Sequence, residues 1–220
     1  MRLTASDGHA FDAYVAEPRA PAQRGVIIIQ EIFGVNAHIR SVADDYASQG
    51  FCAIAPALFD RVEPHLELGY TPEVANHGMQ VSSRVGLETA LKDVEAALNY
   101  AAQRFGRRRT GVVGYCLGGT LAWLAATRLA PAAAVGYYGG RIARHAAETP
   151  TCPVLLHFGQ QDAHIPPSEI EKIQQAHPEL ALHLYDAGHG INCDQRESYE
   201  PTSAALARQR TLDFLRRQLA

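Results

Sequence analysis

No stretch of this sequence approaches the ~20 consecutive apolar residues needed to cross a bilayer, and its first residues lack the charged-then-apolar pattern of a secretion signal. The 4 cysteines, Cys52, Cys116, Cys152 and Cys193, are widely spaced with no C-x-x-C among them. Neither a zinc site nor a redox pair is therefore expected, and no metal or cofactor is implied. Free thiols in a reducing cytoplasm are the expectation. A strong charge of one sign is missing too: the net charge of −3 gives no reason to expect nucleic acid or an anionic membrane as partner. The short basic run Arg107-Arg108-Arg109 stands just before a strand and reads as a solvated loop. Repeats and low-complexity linkers are absent. What remains is an ordinary globular composition, 47% apolar and 20% charged. Residues 1–220 are expected to form one domain, large enough to bury roughly 70% of the unfolded surface. A monomer acting on a small molecule is the expected form.

Strand-type and helix-type runs alternate along the chain, the pattern of an α/β sheet with helices on both faces. Ala10 to Val15 alternates as an early edge strand, expected antiparallel. Gly25 to Gln30 is almost continuously apolar, as befits a parallel strand covered on both sides. Asn36 is placed to cap a helix running to about Ser48, with Ile39, Val42, Ala43 and Tyr46 on one face and Gly50 as its stop. Phe51 to Ala55 reads as the next buried strand, ended by Pro56. Residues 57–83 show little periodicity and form the longest irregular piece, which in a compact domain points to function. A helix from about Arg84 to Gln103 carries Leu87, Leu91, Val94 and Leu98 in register. Further strands are expected at Ala133–Tyr138, Val154–Phe158 and Leu182–Tyr185. A helix should open at Ser168, with Ser168 and Glu171 as a capping box, and a terminal helix should run from about Ser203.

The most informative segment is Gly114-Tyr115-Cys116-Leu117-Gly118, a G-x-S-x-G nucleophile elbow with cysteine in place of serine. Such an elbow sets its nucleophile on a sharp turn between a strand and a helix. Thr110 to Gly114 is a short strand-type run, and Leu117 to Leu129 has helical spacing. Glycines flank the turn because a Cβ would clash with neighbouring backbone. A free cysteine is ordinarily a buried, inert thiol. The strand before it and the helix after it favour a presented nucleophile.

A cysteine nucleophile needs a base, and the base needs an orienting group. In α/β-hydrolases these follow in the order nucleophile, acid, histidine, each from a loop after a strand. Asp162 follows the strand ending at Phe158, and His189 follows the strand ending at Tyr185. Taken singly, an aspartate in a turn and a histidine on a polar loop are commonplace. Three residues in this order, each directly after a strand, favour a catalytic set instead. Among the other histidines, His157 and His183 fall inside strands and should be packed. His164 is the remaining rival, too close to Asp162 in sequence to face it well. The loop after the first parallel strand, Gln30-Glu31-Ile32-Phe33-Gly34, should supply one oxyanion-hole N–H, from Ile32, with Leu117 supplying the other. Glu31 beside that hole is unusual at the end of an apolar strand.

The chain resembles the dienelactone hydrolase (carboxymethylenebutenolidase) family of the α/β-hydrolase fold. The resemblance rests on segments 30–36, 113–119, 134–139, 159–162, 188–189 and 210–215, spread over nearly the whole chain. It implies a single-domain, mostly parallel sheet with helices on both faces. It also implies a Cys116–His189–Asp162 triad with Glu31 as a fourth participant. In that family the glutamate pairs with the resting thiol and deprotonates it when substrate binds. Phe33 and Tyr138, inside the matched segments, are taken as substrate-binding. An arginine that holds a substrate carboxylate is implied after the third strand, where Arg61 stands. A second is expected four residues after the histidine, and this chain has Cys193 there, with Arg196 as a stand-in that would have to reach round.

The choice of sulfur narrows the substrate on chemical grounds. A thiolate, reference pKa ~8.5, is itself a good leaving group, so its tetrahedral adduct collapses backwards unless the substrate's own leaving group competes. Alkyl esters and amides fail this test, whereas an enol ester or lactone expels an enolate closer to a phenol, pKa about 10. A thiolate at position 116 also faces the positive end of a helix dipole. The leading expectation is hydrolysis of a carboxylated enol lactone, a dienelactone, through a cysteine acyl-enzyme. A carboxylesterase or lactonase of the same mechanism is the alternative, and a non-catalytic thiol sensor or binding protein is the alternative of a different class.

Overall fold

The computed structural model describes residues 1–220. Two antiparallel strands, β1 (Arg2–Thr4) and β2 (Ala10–Ala16), lead into β3 (Gly25–Ile29), whose five residues are all buried. Then come α1 (Ala37–Ser48) and β4 (Cys52–Pro56), again buried throughout. A 3-10 turn over Leu58–Arg61 precedes α2 (Pro72–Val85) and α3 (Leu87–Phe105). The second half repeats strand and helix: β5 (Thr110–Tyr115), α4 (Leu117–Arg128), β6 (Ala134–Tyr137), β7 (Val154–Gly159), α5 (Pro167–Ala176), β8 (Ala181–Tyr185) and α6 (Pro201–Gln218). They form one 8-stranded sheet in the order β1-β2-β4-β3-β5-β6-β7-β8. From β4 to β8 every pairing is parallel. The carboxyl ends of β3, β5, β6, β7 and β8 therefore open on one edge of the sheet, where ligands bind in such folds.

Helices cover both faces because the central strands carry apolar residues on both. A continuous core of 60 buried residues runs from Leu3 to Leu219, with Trp123 its largest fully buried side chain. Asn36 caps α1 as expected, its side-chain oxygen accepting the Ile39 N–H at 3.2 Å. No helix is long and apolar enough to cross a membrane.

Several local expectations are corrected. Residues 57–83 are irregular chiefly over 62–71: the rest holds the 3-10 turn and nearly all of α2, which starts on Pro72 and buries only Gly78, Val81, Ser82 and Val85. So narrow an apolar stripe leaves little periodicity to read. The helix expected from Arg84 to Gln103 is interrupted at Gly86, whose φ of +73° ends α2 and starts α3. Ser168 and Glu171 make no capping box, because α5 opens on Pro167 with no side-chain cap. Helix α6 opens slightly early, at Pro201, with the Glu200 carboxylate accepting the Thr202 and Ser203 N–H groups at 3.1 and 2.6 Å.

Candidate active site

Cys116 stands between β5 and α4 with φ +54° and ψ −112°, a conformation that non-glycine residues rarely adopt. The turn is held by its own backbone: Cys116 N–H donates to the Tyr137 carbonyl at 3.0 Å, and the Cys116 carbonyl accepts Thr120 N–H at 3.2 Å. Its glycines are required by close approach. A Cβ on Gly114 would sit 1.8 Å from the Gly118 oxygen, and one on Gly118 2.2 Å from the Ile29 oxygen. The N–H groups of Ile32 and Leu117 donate to no protein acceptor, so both are available to an incoming oxygen.

The structure brings Cys116, His189 and Asp162 into one hydrogen-bonded chain. His189 Nε2 lies 3.2 Å from Cys116 Sγ, and Nδ1 lies 2.7 Å from Asp162 Oδ2. Asp162 is buried, and its other oxygen accepts the His164 N–H at 2.8 Å. His164 itself is exposed, its ring 5.1 Å edge-on from His189, and it makes no link to the thiol. Burial disfavours the His189 imidazolium, but the Cys116 sulfur and Asp162 outweigh it and raise the pKa to about 10. For Asp162, burial pulls the carboxyl pKa up while the hydrogen bond from His189 pulls it down, and the net shift is downward. An imidazole so placed, between a sulfur and a buried carboxylate, is set to act as a base toward the thiol. His157 and His183 lie in strands as expected, and buried His157 is occupied by Tyr185 and Thr211.

Glu31 is fully buried just past the end of β3, and it makes no hydrogen bond to the thiol. Its oxygens meet the Arg196 guanidinium and the Tyr70 hydroxyl, each at 3.4 Å, while the thiol is taken by His189. The family's glutamate–thiol pair is thus not the arrangement here. Arg196 does reach round: its guanidinium lies 5.8 Å from the Phe33 ring centre and 5.9 Å from that of Tyr70. Phe33 and Tyr70 are themselves 4.6 Å apart. Tyr70 joins the cluster from just before α2, and sequence reasoning missed it because residues 57–83 read as featureless. The same cluster sets Glu31, His38 and Cys193 with their ligating atoms within 4.8 Å of one another, a juxtaposition that no spacing in the sequence announces.

Two expected substrate contacts are corrected. Arg61 is not brought to the cleft. Its Nε and one terminal nitrogen meet the Asp93 carboxylate at 2.8 and 2.7 Å, and Asp7 takes what remains at 3.1 Å. A buried carboxylate on α3 claims the guanidinium because neither charge is tolerable alone there. Tyr138 is fully buried at φ +37°, donates to Asn192, and packs its ring 4.8 Å from His189. It supports the imidazole and has no surface left for a substrate.

A mostly parallel sheet with a strained residue raised between β5 and α4, and loops after β7 and β8 converging on it, is the α/β-hydrolase architecture. The profile of the dienelactone hydrolase family matches residues 11–219, and the chain belongs to that family of hydrolases. It is 36% identical to a carboxymethylenebutenolidase of Pseudomonas putida over 98% of this chain and 94% of that one. It is 31% identical to carboxymethylenebutenolidase 1 of Cupriavidus pinatubonensis, over 98% and 95%. A crystal structure of a protein assigned as a dienelactone hydrolase, from Klebsiella pneumoniae, superposes with a TM-score of 0.85 at 31% identity, covering 97% of each chain.

Proposed function

We propose that this hydrolase opens an activated, carboxylated ester or lactone of the enol type through a thioester on Cys116. The observation that carries the reading is the unbroken line from Cys116 Sγ through His189 to buried Asp162. In this reading His189 takes the thiol proton, the thiolate attacks the carbonyl carbon, and the oxyanion settles against the Ile32 and Leu117 N–H groups. Collapse expels the enolate, which takes the proton from His189. Water, deprotonated by the same imidazole, then cleaves the thioester. Asp162 holds the ring in the tautomer that points Nε2 at sulfur.

The substrate carboxylate is assigned to Arg196 in place of an arginine at position 193. Support comes from its location: it is the guanidinium beside Glu31, whereas Arg61 is committed to Asp93. A carboxylate arriving on Arg196 would take it from Glu31, freeing that acid to join the proton transfer. The relatives named carboxymethylenebutenolidases support a lactone as the substrate class.

Intact-mass measurement during turnover of a carboxylated enol lactone and of p-nitrophenyl acetate tests the mechanism. An acyl adduct should appear on the wild-type chain and disappear after iodoacetamide or in Cys116→Ala. His189→Ala should lower kcat by several orders of magnitude, since such residues act as a unit. Undiminished hydrolysis by Cys116→Ala would end this proposal.

A further inference from the structure

Behind the hydrolytic residues lies a second set of groups whose chemistry points to a metal ion. Glu31, His38 and Cys193 are all buried, and their carboxylate, imidazole and thiol atoms lie within 4.8 Å of one another. His38 carries the independent sign. It is 3% exposed, and its Nε2 is buried with no hydrogen-bond partner. Its other nitrogen, Nδ1, is 3.3 Å from Asp194 Oδ1. A carboxylate on Nδ1 fixes the proton there and leaves Nε2 as a lone pair, the usual arrangement behind a metal-bound histidine. A buried lone pair without a donor is a standing deficit that the protein side chains do not fill.

We propose that Glu31, His38 and Cys193 bind one divalent cation of the zinc type. One sulfur, one imidazole nitrogen and one carboxylate oxygen are the donors that ion selects, three protein ligands with a fourth position left open. Bond lengths of about 2.0–2.3 Å place tetrahedral ligands roughly 3.3–3.8 Å apart, so the present cluster needs to close by about an ångström. Charge balances: Cys193 gives its proton to solvent, and thiolate plus carboxylate neutralise the dication while His38 stays neutral. On one side the cluster adjoins a cavity of about 440 Å³, which His38 lines together with Asp194, Asp45, Asn192 and Tyr199; Glu31 and Cys193 lie deeper, fully buried. Arg196, at 3.4 Å from Glu31, is the competing cation and would have to give that oxygen up. The site takes Glu31 as a ligand and displaces Arg196 from it, both residues of the hydrolytic reading, but its donors and its test do not depend on turnover.

Cobalt(II) titration of the reduced, full-length protein tests the proposal without reference to turnover. One equivalent should bind and give a sulfur-to-cobalt charge-transfer band that zinc then displaces. The band should persist in Cys116→Ala and vanish in Cys193→Ser. Asp194→Ala changes only an exposed side chain, so folding is not at issue. It should weaken cobalt binding about 10- to 100-fold, the usual effect of removing a ligand's outer partner. Arg196→Gln should strengthen binding. Absence of saturable binding by wild type would overturn the proposal. So would a band that survives in Cys193→Ser but is lost in Cys116→Ala, which would place the ion on the other thiol. Unchanged affinity in Asp194→Ala would equally remove His38 as a ligand.

Discussion

Arg61 and Asp93 form a fork-to-fork ion pair between the turn after β4 and helix α3, with contacts of 2.8 and 2.7 Å. The Asp93 side chain has no solvent exposure and that of Arg61 only 10%. Truncating the arginine leaves a buried carboxylate unpaired, an event that destabilises by about 3–5 kcal/mol. Arg61→Ala is therefore expected to lower the urea midpoint strongly while leaving the residual folded enzyme equally active on carboxylated and neutral esters. A selective loss on the carboxylated substrate, with stability unchanged, would return Arg61 to the cleft.

Arg196 should show the opposite pattern. A charge-assisted, bidentate pair to a substrate carboxylate is worth about 1.5–3 kcal/mol. Arg196→Ala should cut kcat/KM for a carboxylated lactone roughly 10- to 100-fold and leave p-nitrophenyl acetate hydrolysis within about twofold. Because Glu31 loses its partner as well, part of the change is expected in kcat. Parallel losses on both substrates would contradict the assignment and favour a neutral ester as substrate.

His189 makes a pH prediction. Its reference pKa is ~6.5, and in the folded chain it stands at about 10, with burial opposing and Cys116 and Asp162 supporting the charge. A raised folded value means that the native state binds more protons than the unfolded one. The pair's stabilisation is then complete below roughly pH 6.5 and fades as pH rises through the folded value. NMR titration of the imidazole in Cys116→Ala should give a value clearly lower than in wild type, since the strongest supporting partner is gone. Identical titrations would mean that the sulfur has no part in holding the proton.

Gly118→Ala tests the elbow as a packing device. The new Cβ would lie 2.2 Å from the Ile29 oxygen and 2.7 Å from the Gln30 oxygen, both backbone atoms of the central strand region. Backbone this close cannot yield as a flexible side chain would, so the loss of stability should lie at or beyond the upper end of the usual range of about 1–3 kcal/mol for overpacking. Circular-dichroism melting measures it. A variant within about 1 kcal/mol of wild type would show that the turn relaxes far more easily than its geometry implies.

The amino-acid sequence by itself determined the architecture and the order in which Cys116, Asp162 and His189 come to one edge of the sheet. Continuous apolar runs such as Gly25 to Ile29 can only be strands buried on both faces, and the glycines around Cys116 are legible because so tight a turn admits little else. Asp162 and His189 were readable for a related reason: their position directly after strands fixes the sheet edge on which they appear. Helix α2 was not readable, since it buries a narrow stripe that includes Gly78 and Ser82. Only the tertiary structure decided how the charged groups pair. Arg61 looked like a substrate residue by position, but Asp93, on a helix remote in sequence, lies close enough to neutralise it. Arg196, Tyr70 and Glu31 meet from three separate loops, and Glu31, His38 and Cys193 likewise converge from distant parts of the chain. Strand and turn preferences act between near neighbours and leave a local trace in the sequence. The pairing of a buried charge depends on which side chains the fold brings within a few ångströms, and no local pattern records that.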